Sequence, residues 1–145
     1  MIEMARPSDA AGMAQVLGGW NAATAWMPKL HTPDEELWFC GHLIDTCEVF
    51  VVRAPEVEGF LARQGDEVQA LYLAPALRGK GEGKALLDRA KQGRDRLELW
   101  TFQANTRAMA FYLREGFAED HRTTGAGNAE KLPDIRLFWT RRATQ

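Results

Sequence analysis

A short glycine-rich and basic segment, residues 78–84, carries the clearest chemistry in this chain. Three glycines alternate in it with three basic side chains and one acidic one. Glycine lets an anion approach the backbone closely, and the first N–H groups of a helix have no acceptor within the helix. The positive end of the helix dipole adds attraction for negative charge. The segment therefore predicts a phosphate-binding loop, because glycines that each weaken a helix start by about 1 kcal/mol are not needed in an ordinary turn.

The spacing of these glycines excludes the two commonest phosphate loops. A nucleotide-triphosphate loop needs Ser or Thr after its Gly-Lys pair, whereas Ala85 follows Gly83 and Lys84. A dinucleotide-binding fingerprint needs its third glycine at the position of Lys84. The pattern that fits is Arg-x-x-Gly-x-Gly, formed by Arg78, Gly81 and Gly83 directly after a strand and a proline.

A second pattern follows the next predicted strand and reads N-x-x-A-x-x-F-Y-x-x-x-G-F. Its residues are Asn105, Ala108, Phe111, Tyr112, Gly116 and Phe117. Asn105 is suited to cap a helix, and Gly116 fits the left-handed position just past the end of that helix. The two patterns in this order resemble the acetyl-CoA site of the GNAT superfamily of N-acetyltransferases, and the resemblance covers about residues 48–117.

The resemblance implies acetyl-CoA as the co-substrate. In the family, backbone amides of the loop hold the pyrophosphate of coenzyme A, and amides at the end of the preceding strand serve the acetyl carbonyl and the pantetheine arm. Asn105 is expected to bond the pantetheine arm. The expected cofactor contacts are Leu71, Tyr72, Leu73, Arg78, Gly79, Lys80, Gly81, Glu82, Gly83, Lys84 and Asn105. Glu82 departs from the family pattern, which usually has Ile or Val at this position.

The reaction implied by the resemblance is acetyl transfer from acetyl-CoA to a primary amine of a small molecule or peptide, by direct attack in a ternary complex. Tyr112 matches the tyrosine that in many members lies beside the cofactor sulfur, so it is the expected proton donor to the leaving thiolate. The alternative for Tyr112 is a half-buried helix tyrosine that bonds to backbone. The general base is left open among Glu67, Glu98, His31, His42, Asp134 and a water chain.

Three further matters stay open at this point. A non-catalytic acyl-CoA-binding module, with a sensor or regulatory role, is the alternative function, and Glu82 is the feature that favours it. Family members commonly dimerise through their last strands, so a homodimer is one option for the oligomeric state. Trp20, Trp26 and His31 are expected to line the acceptor site, with a core role as the alternative for the aromatic residues.

Composition narrows the class of protein. A chain of 145 residues predicts a single domain, residues 1–145. A net charge of −2 argues against a dedicated nucleic-acid binder. No apolar run reaches the roughly 18 residues that span a bilayer, and no secretory signal is evident, so a cytoplasmic location without membrane contact is expected. Cys40 and Cys47 form no disulfide framework, and no metal-ligand spacing is present.

Hydrophobic periodicity and turn residues divide the chain into strands and helices. Strands are expected at residues 1–6, 48–54, 57–64, 67–73, 96–102 and 135–140 and from Phe117, with a loop at 122–131. Strands 48–54, 57–64 and 67–73, joined by short turns, predict an antiparallel meander. The helix between strands four and five predicts a parallel crossover. The expected fold is α/β (α+β), a GNAT-like mixed sheet of six to seven mostly antiparallel strands with about four helices.

Helix boundaries have their own signals. Ser8 is expected to cap a first helix that ends at Gly18-Gly19. Thr32, Pro33 and Glu35 form a capping box for a second helix, whose apolar face is expected to include Leu37, Cys40, Gly41 and Ile44. The third helix is expected at residues 84–91, and the fourth between its cap Asn105 and Gly116 just past its end.

Overall fold

The structure is a computed structural model that describes residues 2–141 and, within them, seven β-strands and four α-helices. The chain forms two compact units, one up to Ala90 and one from Lys91. The strands are β1 Ile2–Met4, β2 Glu48–Arg53, β3 Val57–Gln64, β4 Glu67–Leu73, β5 Arg96–Phe102, β6 Ala118–Thr123 and β7 Asp134–Thr140. The helices are α1 Ala10–Ala23, α2 Pro33–Thr46, α3 Glu82–Lys91 and α4 Thr106–Arg114. Met1, which began the first expected strand, lies outside the described residues, and the single-domain assignment stays a prediction.

The first unit contains the expected antiparallel meander, in the order β1-β2-β3-β4. Val51 of β2 lies opposite Glu3 on one side and Phe60 on the other, which fixes the register of three strands. The hairpin between β2 and β3 turns at residues 54–56, so β2 ends one residue earlier than expected. None of the helices within residues 2–141 is long and apolar enough to cross a membrane.

Both faces of this meander are covered. One face packs with α1 and α2 into a core of Met13, Val16, Leu17, Cys40, Leu43, Val49, Val51, Phe60, Ala62 and Ala70. On the other face the guanidinium of Arg89 in α3 lies 4.9 Å from the ring centroid of Phe50. Burial on both faces explains why β2 reads as an unbroken apolar run and not as an alternation.

The start of α2 follows the predicted capping box. The Thr32 hydroxyl accepts the Glu35 N–H at 3.2 Å, and the Glu35 carboxylate accepts the Thr32 N–H at 2.8 Å. Such a cap stabilises a helix by about 1 kcal/mol. The expected apolar face is partly wrong: Cys40 is buried, but Leu37 is 44% exposed and Leu43 is buried in its place. Because α2 packs against both α1 and the sheet, the buried stripe shifts from the one that the sequence suggested.

The expected boundaries of α1 are wrong. Ser8 lies in a short 3-10 helix, Pro7–Asp9, and makes no capping bond, while the helix continues through Gly18 and Gly19 to Ala23. A Cβ on Gly18 would lie 3.0 Å from a carboxylate oxygen of Glu36 in α2. The close packing of α2 thus favours glycine here, and tertiary contact outweighs its weak helix propensity.

The second unit orders its strands β5-β7-β6, all antiparallel. Alternate residues of β5 and β7 form its buried face: Leu97, Leu99, Ile135, Leu137 and Trp139. β6 continues to Thr123, so the loop expected from residue 122 begins at 124, and β7 begins one residue earlier than expected. Gly116, just past α4, has a φ of 95°, as its predicted left-handed role requires.

A charge network ties β1 and the start of α1 to β2. The Arg53 guanidinium donates to both oxygens of Asp9 at 3.0 Å and to Glu3 at 2.7 Å. Asp9 is only 6% exposed and also accepts the Arg6 N–H at 2.8 Å. The hydrogen bond from Arg53 holds the pKa of Asp9 below its ordinary value of 3.8. Asp9 therefore acts as a buried anionic clamp.

We predict that Asp9→Asn lowers the free energy of unfolding at pH 7 by about 2 kcal/mol, since it breaks a bidentate charged contact. The pKa of Asp9 is lowered on folding, so its stabilisation is complete above 3.8 and is lost as the pH falls through the folded value. Urea unfolding as a function of pH should show the deficit of the variant shrinking below 3.8. Asp45→Asn, at an exposed position of α2, is the control and should change stability by less than about 0.5 kcal/mol. Equal effects of the two substitutions would contradict the assignment.

Candidate functional site

The end of β4 leads directly into the glycine-rich segment. Leu73 lies opposite Gly59 of β3, and a Cβ on Gly59 would lie 2.6 Å from a methyl carbon of Leu73. The next residue, Ala74, donates its N–H to the Glu58 carbonyl at 2.7 Å. Since successive N–H groups of a strand point to opposite sides, the N–H of Leu73 points away from β3.

The turn into α3 has a backbone that favours glycine. Gly79 and Gly81 have φ values of 76° and 81°, and a Cβ at either would meet no described atom within 4 Å. The first helical hydrogen bond runs from the Ala85 N–H to the Gly81 carbonyl at 3.0 Å. The N–H groups of Glu82, Gly83 and Lys84 thus precede the helical ladder. Backbone donors beside open space fit an anion such as the pyrophosphate of coenzyme A. The helix begins two residues earlier than the sequence suggested.

Charged side chains around the turn do not all favour an anion. Arg78 is half-buried, Lys80 is exposed, and the Lys84 ammonium lies 3.1 Å from the Asp88 carboxylate. Glu82 is the first residue of α3, where a carboxylate interacts favourably with the helix dipole. Glu82 therefore stabilises the helix start and at the same time adds negative charge beside the backbone donors.

An aromatic cluster forms beside the end of β4. The ring centroid of Trp20 lies 5.9 Å from that of Trp26 and 5.3 Å from that of Tyr72, and both contacts are edge-on. The ring centroid of Tyr72 in turn lies 5.7 Å from that of Phe60 in the core of the first unit. The structure thus brings together two expected acceptor residues and one expected cofactor contact. His31 is exposed and lies outside this cluster.

In the second unit, α4 carries both expected site residues. Asn105 caps this helix, because its side-chain oxygen accepts the Ala108 N–H at 3.2 Å. That bond leaves the Asn105 amide nitrogen as the group that could donate to a ligand. Tyr112 is 8% exposed, and its ring centroid lies 5.2 Å from Phe111 and 5.4 Å from Phe117. The roles given to Asn105 and Tyr112 toward coenzyme A stay predictions.

The candidates for a general base differ in their surroundings. The Glu98 carboxylate lies 3.3 Å from the Arg96 guanidinium and 3.6 Å from that of Arg136, so it forms ion pairs with both. The His42 ring stacks on Trp38 at 5.0 Å on the exposed side of α2. Asp134 lines a cavity in the second unit. The sequence did not predict this cavity. The structure therefore leaves the identity of the base open.

Cysteine and metal chemistry find little support in residues 2–141. Burial raises the pKa of the Cys40 thiol to about 11, so this thiol is protonated at neutral pH and is a poor nucleophile. Among the residues that the structure describes, no three His, Cys, Asp or Glu side chains gather into a metal-binding group.

Known proteins share both sequence and fold with this chain. A family model described as Acetyltransferase (GNAT) domain matches residues 36–119. Peptidyl-lysine N-acetyltransferase YjaB from Salmonella typhimurium is 30% identical over 107 residues, which are 74% of this chain and 67% of that protein.

Solved structures extend the likeness in fold over almost the whole chain. The solution structure of apo-form YjaB from Escherichia coli has a TM-score of 0.77 at 19% identity and covers 96% of both chains. The structure of yncA from Salmonella typhimurium with its cofactor acetyl-CoA has a TM-score of 0.74 at 19% identity and covers 97% of this chain and 92% of that one. These likenesses confirm the predicted mixed α/β fold class.

We predict that Gly81→Ala lowers the free energy of unfolding by about 1 kcal/mol, because an L side chain is strained at a φ of 81°. Gly19→Ala is the matched control, since it adds the same methyl group to a regular helix with no described atom within 4 Å. The control should gain about 0.5 kcal/mol instead. Urea unfolding of both variants measures the difference. A Gly81→Ala protein as stable as the wild type would show that the backbone of the turn does not need glycine.

Proposed function

The chain belongs to the GNAT family of acetyltransferases, and from that premise we propose that it transfers an acetyl group to a primary amine of a small molecule or peptide. The expected co-substrate, acetyl-CoA, is confirmed as that of the family. The observation that carries the proposal is the turn into α3, where two left-handed glycines with open space at their Cβ positions lead into the first N–H groups of a helix. An amine acceptor is further supported by the Salmonella relative, whose name describes a peptidyl-lysine N-acetyltransferase.

In this proposal each part of the site has one task. Acetyl-CoA supplies, when bound, a thioester carbonyl that a neutral amine can attack. The N–H groups at the start of α3 bind the pyrophosphate, and the N–H of Leu73, which points away from β3, donates to the acetyl carbonyl or to the pantetheine arm. The Asn105 amide nitrogen donates to the same arm. Fixed donors of this kind hold two reactants in one geometry, which is a large part of the rate gain in such transfers.

The proposal assigns proton donation to Tyr112. Its phenol is a suitable acid for a leaving thiolate, and burial among Phe111 and Phe117 keeps water away from the hydroxyl-bearing ring. Trp20 and Trp26 would form an apolar wall for the acceptor. The proposal also includes a cytoplasmic location and, as one option for the oligomeric state, a homodimer.

A thiol-release assay tests the function. Wild-type protein with acetyl-CoA should release free coenzyme A when primary amines are added, and should not when the matched alcohols replace them. Initial-rate kinetics should show that both substrates bind before either product leaves, as direct attack requires. If acetyl-CoA binds in calorimetry but no amine releases thiol, the chain is a binding module.

We predict that Tyr112→Phe lowers kcat at least about tenfold, since the variant lacks the acid that protonates the thiolate. The dissociation constant for acetyl-CoA should change by less than about twofold, because the ring and its packing are kept. Steady-state kinetics at saturating substrates and calorimetry provide the two readouts, and thermal unfolding checks the fold. Unchanged kcat would remove Tyr112 from the mechanism.

A non-catalytic acyl-CoA-binding module is the second candidate, and Glu82 at the first position of α3 is the observation that favours it. We predict that Glu82→Ile tightens acetyl-CoA binding about threefold, because it removes a negative charge beside the pyrophosphate site. Glu82→Gln separates the loss of charge from the change of shape, and Glu56→Gln, at an exposed turn residue, is the control. Weaker binding in both position-82 variants would show that Glu82 makes a favourable contact with the ligand.

A further inference from the structure

The second unit contains a cavity of about 480 Å³ at the carboxyl end of β5. Its volume lies in the range of small-molecule sites. The lining comes from the end of β5, the end of β6, the connecting segment 124–133 and the start of β7. The lining residues are Trp100, Thr101, Phe102, Thr123, Gly127, Asn128, Glu130 and Asp134. The assignments from the sequence gave this cavity no role.

The connecting segment is built as a packed loop. Asn128 bonds twice to Leu132: its amide nitrogen donates to the carbonyl at 2.8 Å, and its side-chain oxygen accepts the N–H at 3.2 Å. The Lys131 ammonium donates to the Ala126 carbonyl at 2.8 Å. Gly125 approaches the Leu132 carbonyl so closely that any side chain there would collide with it. The wall of the cavity is therefore formed before a ligand arrives, which lowers the entropic cost of binding.

Both ionisable side chains of the lining are acidic. The Asp134 carboxylate accepts the Thr123 hydroxyl on one oxygen and the Asn128 amide on the other, the latter at 3.2 Å. These neutral donors orient the carboxylate without cancelling its charge. Glu130 is half-buried, and the structure gives it no hydrogen bond or ion pair within residues 2–141. The lining thus carries negative charge that no cation of the lining balances.

Aromatic rings supply the rest of the recognition surface. Trp100 is 45% exposed, and Phe102 is half-buried beside it. Arg136 lies 5.3 Å from the Trp100 ring centroid, and its charge faces Glu98 at 3.6 Å. The His121 ring contacts the Trp100 ring edge-on at 5.3 Å between centroids, but neither Arg136 nor His121 lines the cavity. Carboxylates beside aromatic rings suit a ligand with a cationic group, which pairs with the carboxylates, and an apolar chain, which packs on the rings.

We propose that this cavity binds a primary alkylammonium group, with Glu130 as its charge partner and Trp100 as the wall for its methylene chain. The proposal rests on the proposed function in naming the acceptor class: aliphatic amines, as in a diamine or a lysine side chain. Such an amine has a pKa of about 10.4, so the protein first meets its acceptor as a cation. An acidic cavity selects that form and excludes neutral and acidic molecules of similar shape.

Calorimetry without acetyl-CoA tests the cavity directly. The ligands are Nα-acetyl-lysine amide and 1,4-diaminobutane, with Nα-acetyl-norleucine amide and butanol as neutral matches. At least one amine should bind wild-type protein, and Glu130→Gln should raise its dissociation constant at least about fivefold. The control Glu56→Gln, an equal change of charge at an exposed turn, should leave that constant unchanged. Comparing the dissociation constants of the two amines shows whether the cavity prefers a lysine side chain or a small diamine.

Three results would overturn the proposal: no binding of either amine, equal binding of the neutral matches, or an unchanged dissociation constant in Glu130→Gln. Failure of the proposed function has a different signature. If amines bind in a way that depends on Glu130 but release no thiol from acetyl-CoA, the cavity proposal is supported and the proposed transferase function is contradicted. If amines release thiol but Glu130→Gln does not change their KM values, the transferase function is supported and the cavity proposal is contradicted.

Discussion

The burial of β2 and β3 between two layers is the constraint on which the first unit depends. α1 and α2 cover one face of these strands, and on the other face Arg89 of α3 packs on Phe50. Removing that much apolar surface from water is the dominant favourable term in folding, and it fixes which face each side chain takes. Because β4 pairs with β3 in a set register, the end of β4 and the turn that follows it are fixed as well. The proposed cofactor site is thus a consequence of the core.

The turn into α3 shows how one position serves two opposed electrostatic demands. The start of a helix attracts negative charge, whether that charge belongs to a side chain or to a ligand. The Glu82 carboxylate supplies negative charge at the start of α3. Ile or Val, the usual residues of the family at this position, carry no charge that would compete with a bound pyrophosphate. The cost to a ligand is modest, since an exposed charge near a helix terminus is worth about 0.3–1 kcal/mol. On the proposed function, Glu82 is expected to change cofactor affinity and to leave the fold unchanged.

The two units carry opposite electrostatic character at their proposed sites. The glycine turn of the first unit offers backbone donors and basic side chains, which suit the phosphates of coenzyme A. The cavity of the second unit offers Glu130 and Asp134 beside Trp100, which suit an alkylammonium group. A transferase that joins an anionic donor to a cationic acceptor needs both kinds of surface. The net charge of −2 averages over them and says nothing about either.

The sequence by itself determined what depends on neighbours along the chain. The capping box at Thr32, the Asn105 cap and the left-handed Gly116 after α4 each involve residues within a few positions of one another, and all were predicted. Tertiary contact decided the rest. At Gly18 the close approach of α2 leaves little room for a side chain, and in the acidic cavity the antiparallel pairing of β6 with β7 places Asp134 opposite Thr123, eleven positions away. Such contacts depend on how whole elements pack, which no local pattern encodes.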